Sequence, residues 1–230
     1  MRPAVDMREK TNIGKNNNSG SSSAAGAYTV LGAVDVSVLF VRKDSVYKQL
    51  GVDFWDKERD ARLYNGPNPV VAHPPCRAWG QLSHFAKPEP GEKELALFAI
   101  DIIRKYGGVL EHPRASRLWP EYLPLPGRTD EYGGYSISVD QFWWGHKARK
   151  RTLLYIVGCP HKELPPIPLR FDAIEHVVSS SSRSKRGKLK EIGKKEREAT
   201  PVDFAIWLIK VAACCGRYIA PNCTSYAALF

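Results

Sequence analysis

Apolar positions along this chain follow two rhythms: short β-branched runs bounded by turn residues, and two longer stretches with helical spacing. Residues 36–41 (Val-Ser-Val-Leu-Phe-Val) predict a first strand. Residues 44–50 predict a short helix capped by Asp44 or Ser45, and residues 51–56 a second strand ending in the carboxylate of Asp56. Residues 57–64 are dense in charge and read as helix or solvated loop. Asn65-Gly66-Pro67-Asn68-Pro69 then turns the chain into Val70-Val71-Ala72, a third strand that Pro74-Pro75 stops. The clearest helix is Glu92–Tyr106, with Leu95, Phe98, Ala99, Ile102 and Ile103 on its apolar face and Gly107-Gly108 at its end. Val109-Leu110-Glu111 follows at once as a fourth strand, closed by Pro113. Residues 114–138 read as an irregular connection, residues 152–157 as the strongest strand in the chain. Thr200-Pro201 opens a last helix with Phe204, Trp207, Leu208 and Val211 on one face. No internal repeat is present.

The strand-helix-strand order around residues 92–106 is a βαβ unit, whose two strands should lie parallel and adjacent. Cys76, just past the third strand, and Glu111, at the end of the fourth, then share the carboxyl edge of the sheet. Open α/β sheets bind ligands at that edge. A cysteine in a loop on such a scaffold is well placed to react, although a small buried hydrophobe is the commoner role for a free cysteine. Glu111 alone also reads as an exposed carboxylate paired with Arg114. Trp79, Trp143 and Trp144 read as packing residues.

Charge and composition refine this. The net charge of +10 in 230 residues favours polyanionic partners. Residues 1–29, with Asn16-Asn17-Asn18 and Ser21-Ser22-Ser23, read as a disordered leader without the apolar core of a signal peptide. That leaves 30–230 as a single domain. Between residues 178 and 200, eight Lys or Arg stand against three Glu beside a serine run, which predicts a basic flexible loop. Lys185, Arg186 and Lys188 of that loop, with Arg77, Lys147 and Lys150, are candidate contacts to nucleic acid. No run reaches membrane-spanning length by eye, so the expected setting is cytoplasmic. Five cysteines in irregular spacing suggest no disulfide framework, in keeping with a reducing compartment. His73-x-x-Cys76 and Cys159-x-His161 have the spacing of a four-ligand zinc site, a reading that leaves the prolines and Glu111 unexplained.

Three segments stand in order: Pro74-Pro75-Cys76, Leu110-Glu111-His112-Pro113, and residues 141–158 with the cluster Lys147-Ala148-Arg149-Lys150-Arg151. Together they resemble the cytosine-5 DNA methyltransferase family, and most of all its small phage-encoded members. In those, a segment like Asp140-Gln141-Phe142-Trp143-Trp144-Gly145-His146 leads through a Lys-x-Thr element, here Lys150-Arg151-Thr152, into a strand. The likeness covers about residues 36–168. It implies an α/β fold, a Rossmann-like three-layer sandwich with a mostly parallel sheet. It implies a Cys76 thiolate that adds to carbon 6 of a cytosine, making carbon 5 nucleophilic. Positive charge from Arg77, Arg149 or Arg151 would favour that thiolate. By the same likeness Glu111 hydrogen-bonds the base, Arg151 or Arg149 contacts its oxygen or a phosphate, and Asp56 grips the ribose of S-adenosylmethionine. The target would be a flipped or single-stranded base in DNA.

The chain departs from the family in its first half. Where a glycine-rich cofactor loop belongs stands Phe40-Val41-Arg42-Lys43-Asp44-Ser45, and one strand is lacking before Val70. His112 replaces the family's Asn. No segment has room for a target-recognition domain, so little sequence specificity is expected. The alternative from another class is a nucleic-acid-binding protein that keeps the fold without the chemistry.

Overall fold

A computed structural model describes residues 35–81, 83–178 and 189–219. The leader at 1–29 and the candidate contacts Lys185, Arg186 and Lys188 lie outside the described residues.

Strands β1 (Ser37–Val41), β2 (Asp53–Asp56), β3 (Val70–Ala72), β4 (Gly108–Pro113), β5 (Tyr135–Asp140) and β6 (Arg151–Val157) form one sheet in the order β2-β1-β3-β4-β6-β5. The first four run parallel, while β6 is antiparallel to both β4 and β5. The fold is therefore α/β with a mostly parallel six-stranded sheet. Val38, Leu39, Val70, Val71, Ala72, Val109 and Leu110 are wholly buried, because parallel strands of this kind are covered on both faces.

Helix α1 (Ser83–Ala86) follows β3, and helix α2 (Glu92–Tyr106) connects β3 to β4. Ala96, Ala99, Ile100 and Ile103 of α2 share a core cluster with Leu39, Val70, Ala72, Leu110 and Tyr155. Helix α3 (Leu118–Tyr122) lies between β4 and β5. A small parallel ladder joins β7 (His176–Val177) to β8 (Lys190–Glu191), and helix α4 (Lys194–Glu198) precedes α5 (Val202–Ile219). Helix α5 packs on β3 and β4 and buries Phe204, Leu208 and Val211.

Several expectations need correction. The predicted helix at 44–50 is a 3-10 turn, Val46–Gln49, with Ser45 accepting the Tyr47 amide. No longer helix links β1, β2 and β3. The stretch 114–138 is not irregular throughout: it holds α3 and the start of β5. The alternation of Tyr135, Ile137 and Val139 with Ser136 and Ser138 was the signal of β5, masked by the glycines before it. Part of the stretch 178–200 is ordered as β8 and α4, where β8 pairs with β7 and Ile192 is buried. Cys159 and Cys214 form a disulfide that ties the end of β6 to α5, against the expectation of free thiols. The helical stretch Lys194–Arg217 is long and apolar enough to cross a membrane, contrary to the expectation; half of its apolar window is buried in this domain.

Gly108 opens β4 with φ +136, and a Cβ there would collide with the Val70 carbonyl oxygen. Backbone cannot move aside as a flexible side chain can. Gly108→Ala is expected to destabilise the domain by about 3 kcal/mol or more, read as a lower urea midpoint. Gly51→Ala, with open space around it, is expected to cost about 1 kcal/mol.

Candidate active site

Parallel pairing of β3 with β4 sets Ala72 opposite Leu110, so the residues that follow each emerge at one edge of the sheet. Glu111 is the centre of what gathers there. His73 Nδ1 donates to Glu111 Oε2 at 3.0 Å, and the buried Tyr47 hydroxyl meets His73 Nε2 at 2.9 Å. Gln141 Nε2 donates to Glu111 Oε1 at 3.0 Å and reaches Thr152 Oγ1 at 3.1 Å; the Thr152 hydroxyl lies 3.3 Å from the same Glu111 oxygen. Three segments thus converge on one carboxylate, with a fourth behind His73.

Each donor is held from behind. Tyr47 sits in the 3-10 turn after β1. Gln141 opens a 3-10 turn, Gln141–Trp144, that Asp140 caps by accepting the Phe142 amide at 3.1 Å. Trp144 locks that turn to α5 through Phe204 and Trp207, with ring centroids at 4.9 and 5.1 Å. Thr152 is fixed by the register of β6, opposite Pro113. Burial opposes ionisation of Glu111, but the hydrogen bond and electrostatic influence of His73, with the positive charge of Lys150, prevail and hold its pKa down to about 2.

The Cys76 loop is pinned by its neighbours. Trp79 is fully buried and donates to the Lys93 carbonyl at 3.2 Å, while its own carbonyl accepts from the Arg117 amide at 2.9 Å. Arg77 Nε bonds Glu92 at 3.1 Å, tying the loop to the start of α2. Cys76 reaches the surface. Crowding by protein pushes its thiol pKa up, the Glu111 charge adds to the rise, and Lys150 acts against it.

The expected arginines do not supply that charge. Arg77 faces Glu92 and Glu89. Arg149 lies 3.6 Å from Asp140 and, with Arg170, flanks the Phe142 ring. Arg151 is an exposed residue at the start of β6. Lys150, read from the sequence only as a nucleic-acid contact, is the cation of the site. Burial lowers its pKa, and Glu111 and Cys76 oppose that shift. His73 entered the sequence reading only as a zinc ligand, and Tyr47 and Gln141 carried no signal of their role.

The zinc reading fails on topology. Because β6 runs antiparallel to β4, Cys159 emerges beside Gly108 at the edge opposite Cys76. Cys159 is bonded to Cys214, and His161 stacks on Tyr135 at 3.8 Å.

Asp56 stands at the carboxyl end of β2 as the resemblance implies, but its oxygens are engaged. Oδ2 pairs with Lys48 at 2.6 Å, and Oδ1 accepts the Glu58 and Arg59 amides at 3.1 Å. The turn after β1 has no glycine, and the side chain of its Tyr47 is buried against His73. These residues do not fit S-adenosylmethionine in the way the resemblance implies. A comparison with models of known protein families and with curated proteins finds no match for this chain.

Beside Glu111 on β4, His112 is fully buried. Neither ring nitrogen has a partner at hydrogen-bonding geometry, although the Pro75 carbonyl favours its protonated form. Burial takes its pKa from 6.5 to about 4, against the pull of Glu111. The folded protein therefore binds fewer protons than the unfolded chain between these values, and stability falls as pH falls through that window. His112 is expected to remove about 3 kcal/mol of stability between pH 6.5 and 4. Urea unfolding across this range should show the drop in the wild type and a flatter profile in His112→Asn, whatever the absolute stability of the variant.

Proposed function

We propose that this chain modifies carbon 5 of a pyrimidine in DNA, cytosine by choice, through covalent addition of Cys76 to carbon 6. The single observation that carries this is the convergence of a surface cysteine, an ionised carboxylate and a lysine at one carboxyl edge of an α/β sheet. The finer fold assignment, a Rossmann-like three-layer sandwich, is supported by the way β2 and β3 flank β1 on opposite sides, with Cys76 just past β3.

Each group has a task suited to its state. Glu111, kept ionised, can only accept, so it pairs with an N–H of the base, such as the exocyclic amine of cytosine. Cys76 rests as a thiol at neutral pH. As its sulfur bonds to carbon 6, its proton passes to solvent, and the Lys150 ammonium offsets the negative charge developing on sulfur. The electron pair of the carbon 5–carbon 6 double bond moves into the ring, where the same ammonium balances the charge. Carbon 5 then attacks an electrophile, for which a solvent proton suffices. Loss of the original proton from carbon 5 and expulsion of the thiolate restore the base. Arg149 and Arg151, exposed at the same edge, meet the phosphates.

This scheme predicts hydrogen exchange at carbon 5 without any methyl donor. Single-stranded oligodeoxynucleotide incubated with the protein in deuterium oxide should gain deuterium at cytosine carbon 5, read by mass spectrometry of the nucleosides. Cys76→Ser should abolish the gain, Glu111→Gln should slow it about 100-fold and Lys150→Met about tenfold or more. Exchange that survives in Cys76→Ser would sink the reading. The raised thiol pKa and the engaged Asp56 favour a second reading, a nucleic-acid-binding protein without chemistry. It predicts oligonucleotide binding with no exchange in the wild type.

A further inference from the structure

We infer that His73, oriented by the Tyr47 hydroxyl, is the positioning residue that fixes the Glu111 carboxylate for the base. This inference rests on the reaction proposed above and adds to it two residues that do not touch the substrate.

The argument begins with what a single hydrogen bond leaves free. A carboxylate can rotate about its side-chain bonds, so one bond to one oxygen does not aim the other. Glu111 is gripped at both oxygens, Oε2 by His73 and Oε1 by Gln141 and Thr152. The His73 contact is the one with a second anchor in line behind it. In the tautomer that satisfies both contacts, the Tyr47 hydroxyl donates to Nε2 and the Nδ1 proton points at Glu111. Tyr47 is buried, its ring packs at 5.3 Å from that of His73, and the turn that carries it packs on α5. The relay therefore runs from α5 through Tyr47 and His73 to Glu111 without a solvent-exposed link. It is the arrangement by which a second layer of hydrogen bonds sets the aim of a group that meets a ligand.

Every titratable or charged group facing Glu111 enters its behaviour. His73 comes from the end of β3, Tyr47 from the turn after β1, His112 from β4 itself, Lys150 from the approach to β6, and Cys76 from the loop after β3. Of these, His73 alone bonds the carboxylate directly. Its removal leaves burial less opposed, so Glu111 should take up a proton at higher pH. A protonated Glu111 no longer offers an anionic acceptor, and the reaction fails on the acid side.

The test compares the wild type with Tyr47→Phe, His73→Phe and His73→Asn, the last keeping an N–H near the position of Nδ1. Two readouts are taken: the pH dependence of deuterium exchange into cytosine, and carboxyl carbon-13 NMR titration of Glu111, assigned with Glu111→Gln. In His73→Phe the exchange kcat should fall by about 10- to 100-fold, with KM for the oligonucleotide within about twofold. Its acid limb and the Glu111 titration should both move to higher pH. His73→Asn should return both toward the wild type, and Tyr47→Phe should show a smaller shift in the same sense. An active wild type whose acid limb and Glu111 titration are unmoved in a folded His73→Phe overturns the positioning role alone. A wild type without exchange overturns both the reaction and the role, even where the NMR titration still moves.

Discussion

Glu111 is a negative charge held out of water, and the edge of this domain is arranged around that fact. An isolated buried carboxylate would neutralise itself. Here it stays ionised because His73, Gln141 and Thr152 donate to it and Lys150 lies near. These donors come from the end of β3, the turn after β5 and the start of β6, so the charge can be kept only if the sheet has its observed strand order. Helix α5 secures two of them from a distance, through Tyr47 and through the Trp144 cluster. Removing one partner of such a network leaves a buried charge uncompensated, which costs more than the lost bond itself.

The same crowding acts in opposite directions on Cys76 and Lys150. It disfavours the thiolate of Cys76 and the ammonium of Lys150, so the thiol pKa rises while that of the lysine falls. Each also tempers the other: the Lys150 charge favours the thiolate, and Cys76 and Glu111 favour the ammonium. Glu111 opposes ionisation of the thiol, so in this geometry a resting thiolate is not the natural starting state. Proton transfer coupled to addition is the consistent alternative.

Much of this was legible before the structure. The βαβ unit from Val70 to Glu111 was readable because its strands are apolar runs and α2 has a clean helical stripe, and that alone places Cys76 and Glu111 at one edge. What was not legible depends on distance in sequence. Tyr47 is one aromatic in a polar turn, and nothing local says that it meets a histidine 26 residues away. Lys150 looked equivalent to Arg149 and Arg151, yet alternation along a chain entering β6 sends its neighbours to solvent and to Asp140. Strand direction was also hidden: an apolar run reads the same either way, and only the antiparallel β6 separates Cys159 from Cys76.

The basic charge of the chain, finally, is not simply available surface. Helix α4 and the residue after it lie across the Glu111 edge of the sheet and engage Lys147 and Lys150, both expected to meet DNA, together with Arg42. Glu198 pairs with Arg42 at 2.6 Å, Glu196 with Lys147, and the Ala199 carbonyl accepts from Lys150 Nζ at 3.2 Å. His146 adds a contact to the Glu196 carbonyl at 3.3 Å. The exposed pairs among these are weak, each on the order of 1 kcal/mol or less. A phosphate backbone offers the same cations a denser line of negative charge, with release of its own counterions. Net charge therefore overstates how much of the surface is free to attract a polyanion, while the weakness of these pairs is what lets a polyanion compete for them.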